Sequence, residues 1–270
     1  MIPKIIHYSW FSGEEMPEPF VQMMDTWKKH LSDYEFKLWD RKSLDEINIM
    51  FANEAVSVRK WAFAADVIRI YAVYHYGGIW LDGDVTVHQS FDPFLKYRMF
   101  IGKEHMERFQ TDGSFCYVNL LTAHCFGAEK GHPFMKDCLD YYEGRHFVVS
   151  NKETLPQGLR YDMRLLPEIQ SLLAAKYGYK GIFALREEEE VLDDDIHVFP
   201  PYKFDHPDYH KMEEVFSVHH RAGTWVPGND EKNKIFLFPT ARKKDIFYYI
   251  CVLANKLLAK KELRIKVMSR

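Results

Sequence analysis

The sequence predicts an α/β protein with a mostly parallel central sheet flanked by helices. Three observations carry this. Short apolar runs bounded by turn residues recur along the chain, stretches of helical spacing separate them, and 47% of the 270 residues are apolar. Strand-like runs alternating with helical stretches are the pattern of a sheet built through crossover helices. The apolar content excludes a disordered chain. A chain of 270 residues is long enough for one such domain with a substantial core.

Taken in order, Ile2-Pro3-Lys4-Ile5-Ile6-His7-Tyr8-Ser9-Trp10 is suited to a buried first strand over 4–10. Tyr34-Glu35-Phe36-Lys37-Leu38-Trp39 alternates polar and apolar residues and makes a second strand over 34–39. Residues 61–76 read as a helix, which Gly77-Gly78 ends while freeing the backbone to turn. A strand over 79–87 follows, and further apolar runs at 98–102, 122–127, 195–199 and 215–219 complete the set. There is no internal repeat or low-complexity linker. The chain divides into a main domain over 1–240 and a basic, helical tail over 241–270.

The chemistry concentrates in residues 61–87. Asp66 and Arg69 lie three apart on the helix, so their side chains project together. Asp82-Gly83-Asp84 closes the apolar run that begins at Ile79. Two carboxylates around a glycine at a strand end are a natural seat for a hard divalent cation such as Mn²⁺ or Mg²⁺. Such ions keep positions for water and substrate phosphates. A bare Asp-x-Asp is more often a solvated turn, and the weight rests on the whole block.

That block, Ala65-Asp66-Val67-Ile68-Arg69, Tyr76-Gly77-Gly78-Ile79-Trp80 and Leu81-Asp82-Gly83-Asp84-Val85, resembles the sugar-binding region with the DXD motif of glycosyltransferase family 32. The sixteen-residue step from Asp66 to Asp82 is similar to the family spacing. The first strand is similar as well, as is Gly131-His132-Pro133-Phe134, which opens a helix in the family. Where relatives carry an Asn that contacts the donor sugar, this chain has Ala123, with His124 adjacent. Phe216-Ser217-Val218-His219-His220-Arg221-Ala222-Gly223-Thr224-Trp225 resembles the C-terminal His-His-x-x-Gly-Ser-Trp element, with Thr224 for Ser.

The resemblance implies a GT-A-like, nucleotide-sugar-binding fold and metal-dependent hexose transfer with retention of anomeric configuration. It implies that Asp84 binds Mn²⁺ directly and that Asp82 acts through the sugar or ribose and metal-bound water. Asp66 and Arg69 would contact the sugar or a phosphate oxygen, and His220 would complete the metal shell. His7, Trp10 and Trp225 would lie on the nucleotide side, with Trp10 stacking on the base. The expected donor is a UDP-hexose, with GDP-mannose the competitor. The expected acceptor is a saccharide or a lipid-linked saccharide, in surface polysaccharide or capsule synthesis.

A rival reading uses the same residues. Asp82-x-Asp84-x-Thr86 fits the signature of haloacid-dehalogenase-like phosphatases, where the first acid is the nucleophile and Mg²⁺ assists. That scheme normally places its nucleophile near the start of the chain, and it leaves Asp66, Arg69 and the 219–225 element without a task. A sugar-binding module without catalysis is a third class; two intact acids argue against it.

Cys116, Cys125, Cys138 and Cys251 show no metal-ligand or disulfide spacing, which fits reduced thiols in a cytoplasmic protein. No signal peptide and no membrane-length apolar run is expected. The net charge of −3 hides an asymmetry, because residues 241–270 carry +7 and the remainder −10. The basic, apolar helix over 246–258 suits either packing on the domain or peripheral contact with an anionic membrane. An acidic main body excludes a nucleic-acid partner. Glu187–Glu190 and Asp193–Asp195 read as solvated loop charge.

Overall fold

Uninterrupted apolar runs become buried strands here, and apolar residues at helical spacing become helices packed on them. The computed structural model describes residues 1–109, 115–181, 188–206 and 211–222. Their elements begin with β1 (Ile5–Ser9), α1 (Glu18–His30), β2 (Glu35–Trp39), α2 (Arg41–Ile47), α3 (Met50–Ser57) and α4 (Trp61–Tyr76). Next come β3 (Gly78–Leu81), β4 (Val85–Val87), β5 (Met99–Phe109), β6 (Phe115–Ala128), α5 (Pro133–Asp140), α6 (Gln157–Arg160) and α7 (Leu166–Ala174). The last are β7 (Glu190–Leu192), β8 (Ile196–Phe199), α8 (Pro201–Phe204) and β9 (Ser217–His219). The expected tail over 241–270 and Trp225 lie outside the described residues.

The central sheet has the order β2-β1-β3-β6-β5-β8-β7. β1 runs parallel to β2 and β3, and β5 runs parallel to β8. β6 opposes both β3 and β5, and β7 opposes β8, so the α/β class holds with a mixed sheet. β7 falls on the charge-rich stretch read above as loop: Glu190 pairs there with the fully buried Lys103. Asp193 and Asp194 are exposed as expected, and Asp194 and Asp195 also bond to Arg98 at the surface.

Alternation along each strand feeds two cores. Trp80 faces a core built from α3, α4, α5 and α7, whereas Ile79 and Leu81 face one built from α1, β4 and α8. Of the 16 residues of α4, ten are buried, so this helix has no wide polar face. Two of the ten are Asp66 and Arg69, and charges in such a place must be paired. Gly77 and Gly78 follow at φ +68° and +105°. A Cβ at Gly78 would stand 2.6 Å from the Ile5 carbonyl oxygen, so both backbone angle and space demand glycine between α4 and β3.

His7, in the middle of β1, is fully buried. The Trp39 indole N–H donates to its Nδ1 (3.2 Å), and its Nε2–H donates to the Gly77 carbonyl (2.8 Å). Both ring nitrogens are therefore spent on clamping β1, β2 and the end of α4. The ring leaves nothing for a nucleotide, which corrects the expectation from sequence. Burial pushes its pKa down to about 4. Below its unfolded value near 6.5 the unfolded chain binds the proton that the native state refuses, so stability falls as pH drops through this window. The full effect is at most about 3 kcal/mol. Urea midpoints at pH 7 and pH 5 should fall more steeply in the wild type than in His7→Gln; parallel slopes would refute this.

Candidate active site

β3 ends at Leu81, and the next residues close a turn. Asp82 N–H donates to the His124 carbonyl (3.0 Å), and Val85 N–H donates back to the Asp82 carbonyl (3.1 Å). The expected strand over 79–87 is thus two strands. β4 leaves the sheet and pairs with β9 in a separate ribbon, in the register Val85 to His219. Both acids sit at the carboxyl end of β3, the edge where ligands of α/β sheets bind.

Asp82 is held on both oxygens. The Trp80 indole N–H donates to Oδ1 (2.7 Å) and an Arg69 N–H to Oδ2 (3.2 Å). Arg69 is 4% exposed; it also lies 3.2 Å from Asp66 Oδ1 and donates to the Ala123 carbonyl. One guanidinium thus ties α4, β6 and the acid turn together. Burial pushes Asp66 up to about 7, against the pull of Arg69. These described partners of Arg69 are protein groups.

Asp84 is buried and accepts from the Ala222 N–H at Oδ2 (2.8 Å), while His219 Nε2 lies 3.5 Å from Oδ1. Burial pushes this carboxyl up, but His219 and Ala222 hold it well below the usual carboxylate range. For His219, burial pushes down while Asp84 and Asp205 lift it to about 10. Asp82, Asp84 and His219 each bring one ligand atom, all within 4.8 Å of one another. Two carboxylates and an imidazole fit Mn²⁺, and the oxygens alone fit Mg²⁺.

The imidazole at the acids is that of His219, whereas sequence spacing favours His220. Neighbouring residues on a strand point to opposite faces. His220 turns its Nε2 to Thr86 Oγ1 (3.0 Å) and gives its backbone N–H to the Asp84 carbonyl (2.9 Å). Trp10 follows β1 at the same sheet edge and is partly exposed; its indole N–H donates to the Glu14 carbonyl (2.7 Å). Its ring lies 5.8 Å from that of Phe20, and Phe20 also abuts Gly83, so Trp10 and the acid turn share a neighbour.

Three groups were not singled out as site residues in the sequence. His124 stacks on His219 with ring centroids 4.0 Å apart, and Asp205 faces the other edge of that ring. Glu104 on β5 feels Asp205, His219 and Asp82, and burial with Asp205 raises it to about 7. The phosphatase reading makes Asp82 the nucleophile, and in this site both of its oxygens already accept a hydrogen bond, from Trp80 and Arg69, with lone pairs left over.

Two carboxylates and an imidazole thus gather at the carboxyl edge of an α/β sheet with ligand atoms at the spacing of a cation seat. The chain belongs to the family described as capsular polysaccharide synthesis protein, which matches residues 1–154. That match spans β1 to α5 and contains Asp66, Arg69, Asp82 and Asp84. It agrees with the family-32-like resemblance of the motifs.

Among relatives, inositol phosphoceramide mannosyltransferase 3 of Schizosaccharomyces pombe is 33% identical over 138 residues, 50% of this chain and 35% of that protein. Mannosyl phosphorylinositol ceramide synthase CSH1 of Saccharomyces cerevisiae is 31% identical over 38% of this chain and 28% of that one. The chain thus spans about a third of the length of the curated relatives it matches. A solved structure titled PaToxG Glycosyltransferase superposes with a TM-score of 0.41 at 18% identity, over 65% of this chain and 69% of that one. That likeness is too loose to bear on function.

Proposed function

We propose that this chain is a metal-dependent glycosyltransferase that moves a hexose from a nucleotide sugar to a saccharide or lipid-linked acceptor, with retention, in surface polysaccharide synthesis. The observation that carries the reading is the Asp82, Asp84 and His219 donor set beside the Asp66–Arg69 pair. Membership of a capsular polysaccharide family supports it.

In this reading Asp84 and His219 would hold the cation, with His219 in the place that sequence spacing assigns to His220 and Asp82 behind them. Held there, Mn²⁺ or Mg²⁺ would supply positive charge against a nucleoside diphosphate leaving group. Asp82, anchored by Trp80 and Arg69, turns its remaining lone pairs to a sugar or ribose hydroxyl. Asp66 accepts hydrogen bonds from the sugar, and Arg69 keeps both acids aligned. Trp225 keeps the nucleotide-side role implied by the family resemblance.

The relatives named as mannosyltransferases move GDP-mannose ahead of the UDP-hexose favoured by the sequence. Their names also favour the lipid-linked branch of acceptors, which gives the basic segment 241–270 a task on an anionic, cytoplasmic membrane face. Among the described residues no helix is long and apolar enough to cross a membrane.

The test is nucleotide release from a panel of GDP- and UDP-sugars with Mn²⁺, followed by NMR of the product anomer. One donor should stand out. Metal-dependent hydrolysis of a generic phosphate ester with no sugar released would overturn the reading, and an inverted product would overturn retention. Trp10→Ala should raise the donor KM about tenfold with kcat nearly unchanged, because base stacking acts alike in ground and transition states. An unchanged KM would remove Trp10 from the base contact.

A further inference from the structure

β9 is delivered to the acids by the end of α8. This four-residue helix stops at Asp205, whose N–H donates to the Pro201 carbonyl (2.9 Å). Ser217 Oγ donates to the Phe204 carbonyl (3.0 Å) and His219 N–H to the Asp205 carbonyl (2.9 Å), so two backbone carbonyls pin the strand. The Asp205 side chain is 2% exposed. Its Oδ2 takes an Arg221 N–H, while its Oδ1 faces His219 Nδ1 across 3.8 Å. Neither Oδ1 nor Nδ1 has a hydrogen-bond partner among the described residues. Two complementary buried polar atoms left that way are costly, and a small rotation of the ring joins them.

We propose that Asp205 is a positioning residue that takes the Nδ1–H of His219 and so aims the Nε2 lone pair of that ring at the Asp82–Asp84 seat. The inference rests on the metal-dependent reading above. A ligating imidazole keeps its orientation and tautomer through a bond made by its other nitrogen. His124, stacked at 4.0 Å with an interplanar angle of 21°, restricts the ring from its flat side. The group His124, Asp205 and His219 also has the spacing of a second cation seat. Two contacts oppose that: Arg221 already neutralises Asp205, and His124 Nε2 points at the Phe204 carbonyl (3.2 Å).

Asp205→Asn tests the role with shape preserved. Arg221 claims the amide oxygen, so the amide N–H₂ faces Nδ1 and forces the proton onto Nε2. Mn²⁺ binding followed by EPR should weaken about 10- to 100-fold while the thermal unfolding transition stays within a few degrees. An unchanged Mn²⁺ affinity in the folded variant would overturn the proposal. If the variant does not fold, ¹⁵N NMR of the wild-type ring titrated to its neutral form decides: the remaining proton on Nδ1 supports it, and the remaining proton on Nε2 overturns it. Absence of Mn²⁺ binding by the wild type would sink the metal-dependent reading, while the NMR result would still judge the Asp205 contact.

Discussion

Asp84→Ala should abolish donor turnover, by about 10³-fold or more in kcat. The carboxylate does two things that no neighbour can take over. It faces His219 Nε2 across the proposed cation seat, and it accepts the Ala222 N–H that ties the 219–222 segment to the acid turn. Without it the proposed seat loses one of its three ligand atoms, and His219 loses the charge beside its Nε2. Mn²⁺ affinity by EPR should fall in parallel with activity, whereas donor binding through the base should survive. A variant retaining a tenth of wild-type turnover with Mn²⁺ would remove Asp84 from the metal shell.

Arg69→Met should cost stability as well as activity. The guanidinium is buried between Asp66, Asp82 and the Ala123 carbonyl, and an apolar replacement leaves two carboxylates facing each other without compensation. Breaking a buried pair from one side costs about 3–5 kcal/mol. For a domain of this size that lowers the unfolding temperature by on the order of 10 °C. Arg69→Lys should rescue little, because a single ammonium lacks the fork that serves three acceptors. Thermal unfolding by circular dichroism reads the effect directly. A shift under 2 °C in Arg69→Met would mean that the acids are held by other groups.

Local pattern made most of the scaffold legible. β1, β2 and α4 follow from short apolar runs and a nearly all-apolar helix ended by two glycines. Asp66, Arg69, Asp82 and Asp84 were legible because they crowd into nineteen consecutive positions of one helix–strand unit. What escaped depends on partners far along the chain. The break between β3 and β4 is made by the same Asp82-Gly83-Asp84 that reads as a ligand motif, so one signal masked the other.

The choice of His219 over His220 follows from the β4–β9 register, and a one-residue slip there would exchange the two rings. Spacing to Gly223 carries no such information. His7 reads as a site residue only through the family resemblance of the first strand, and its partners, Trp39 and Gly77, make it part of the core. Asp205 had no local signal at all, since a lone Asp between Phe204 and His206 looks like any loop acid.

The β4–β9 ribbon sets an order of assembly. The bond from Ala222 to Asp84 spans 138 residues of sequence, and that from Thr86 to His220 spans 134. Bringing such distant segments together pays loop-closure entropy before any contact repays it. During synthesis both acids, with Arg69 and the sheet that carries them, emerge long before the imidazole does. A chain ending ahead of β9 holds a half-built seat on an otherwise packable scaffold, and only the arrival of the ribbon completes it.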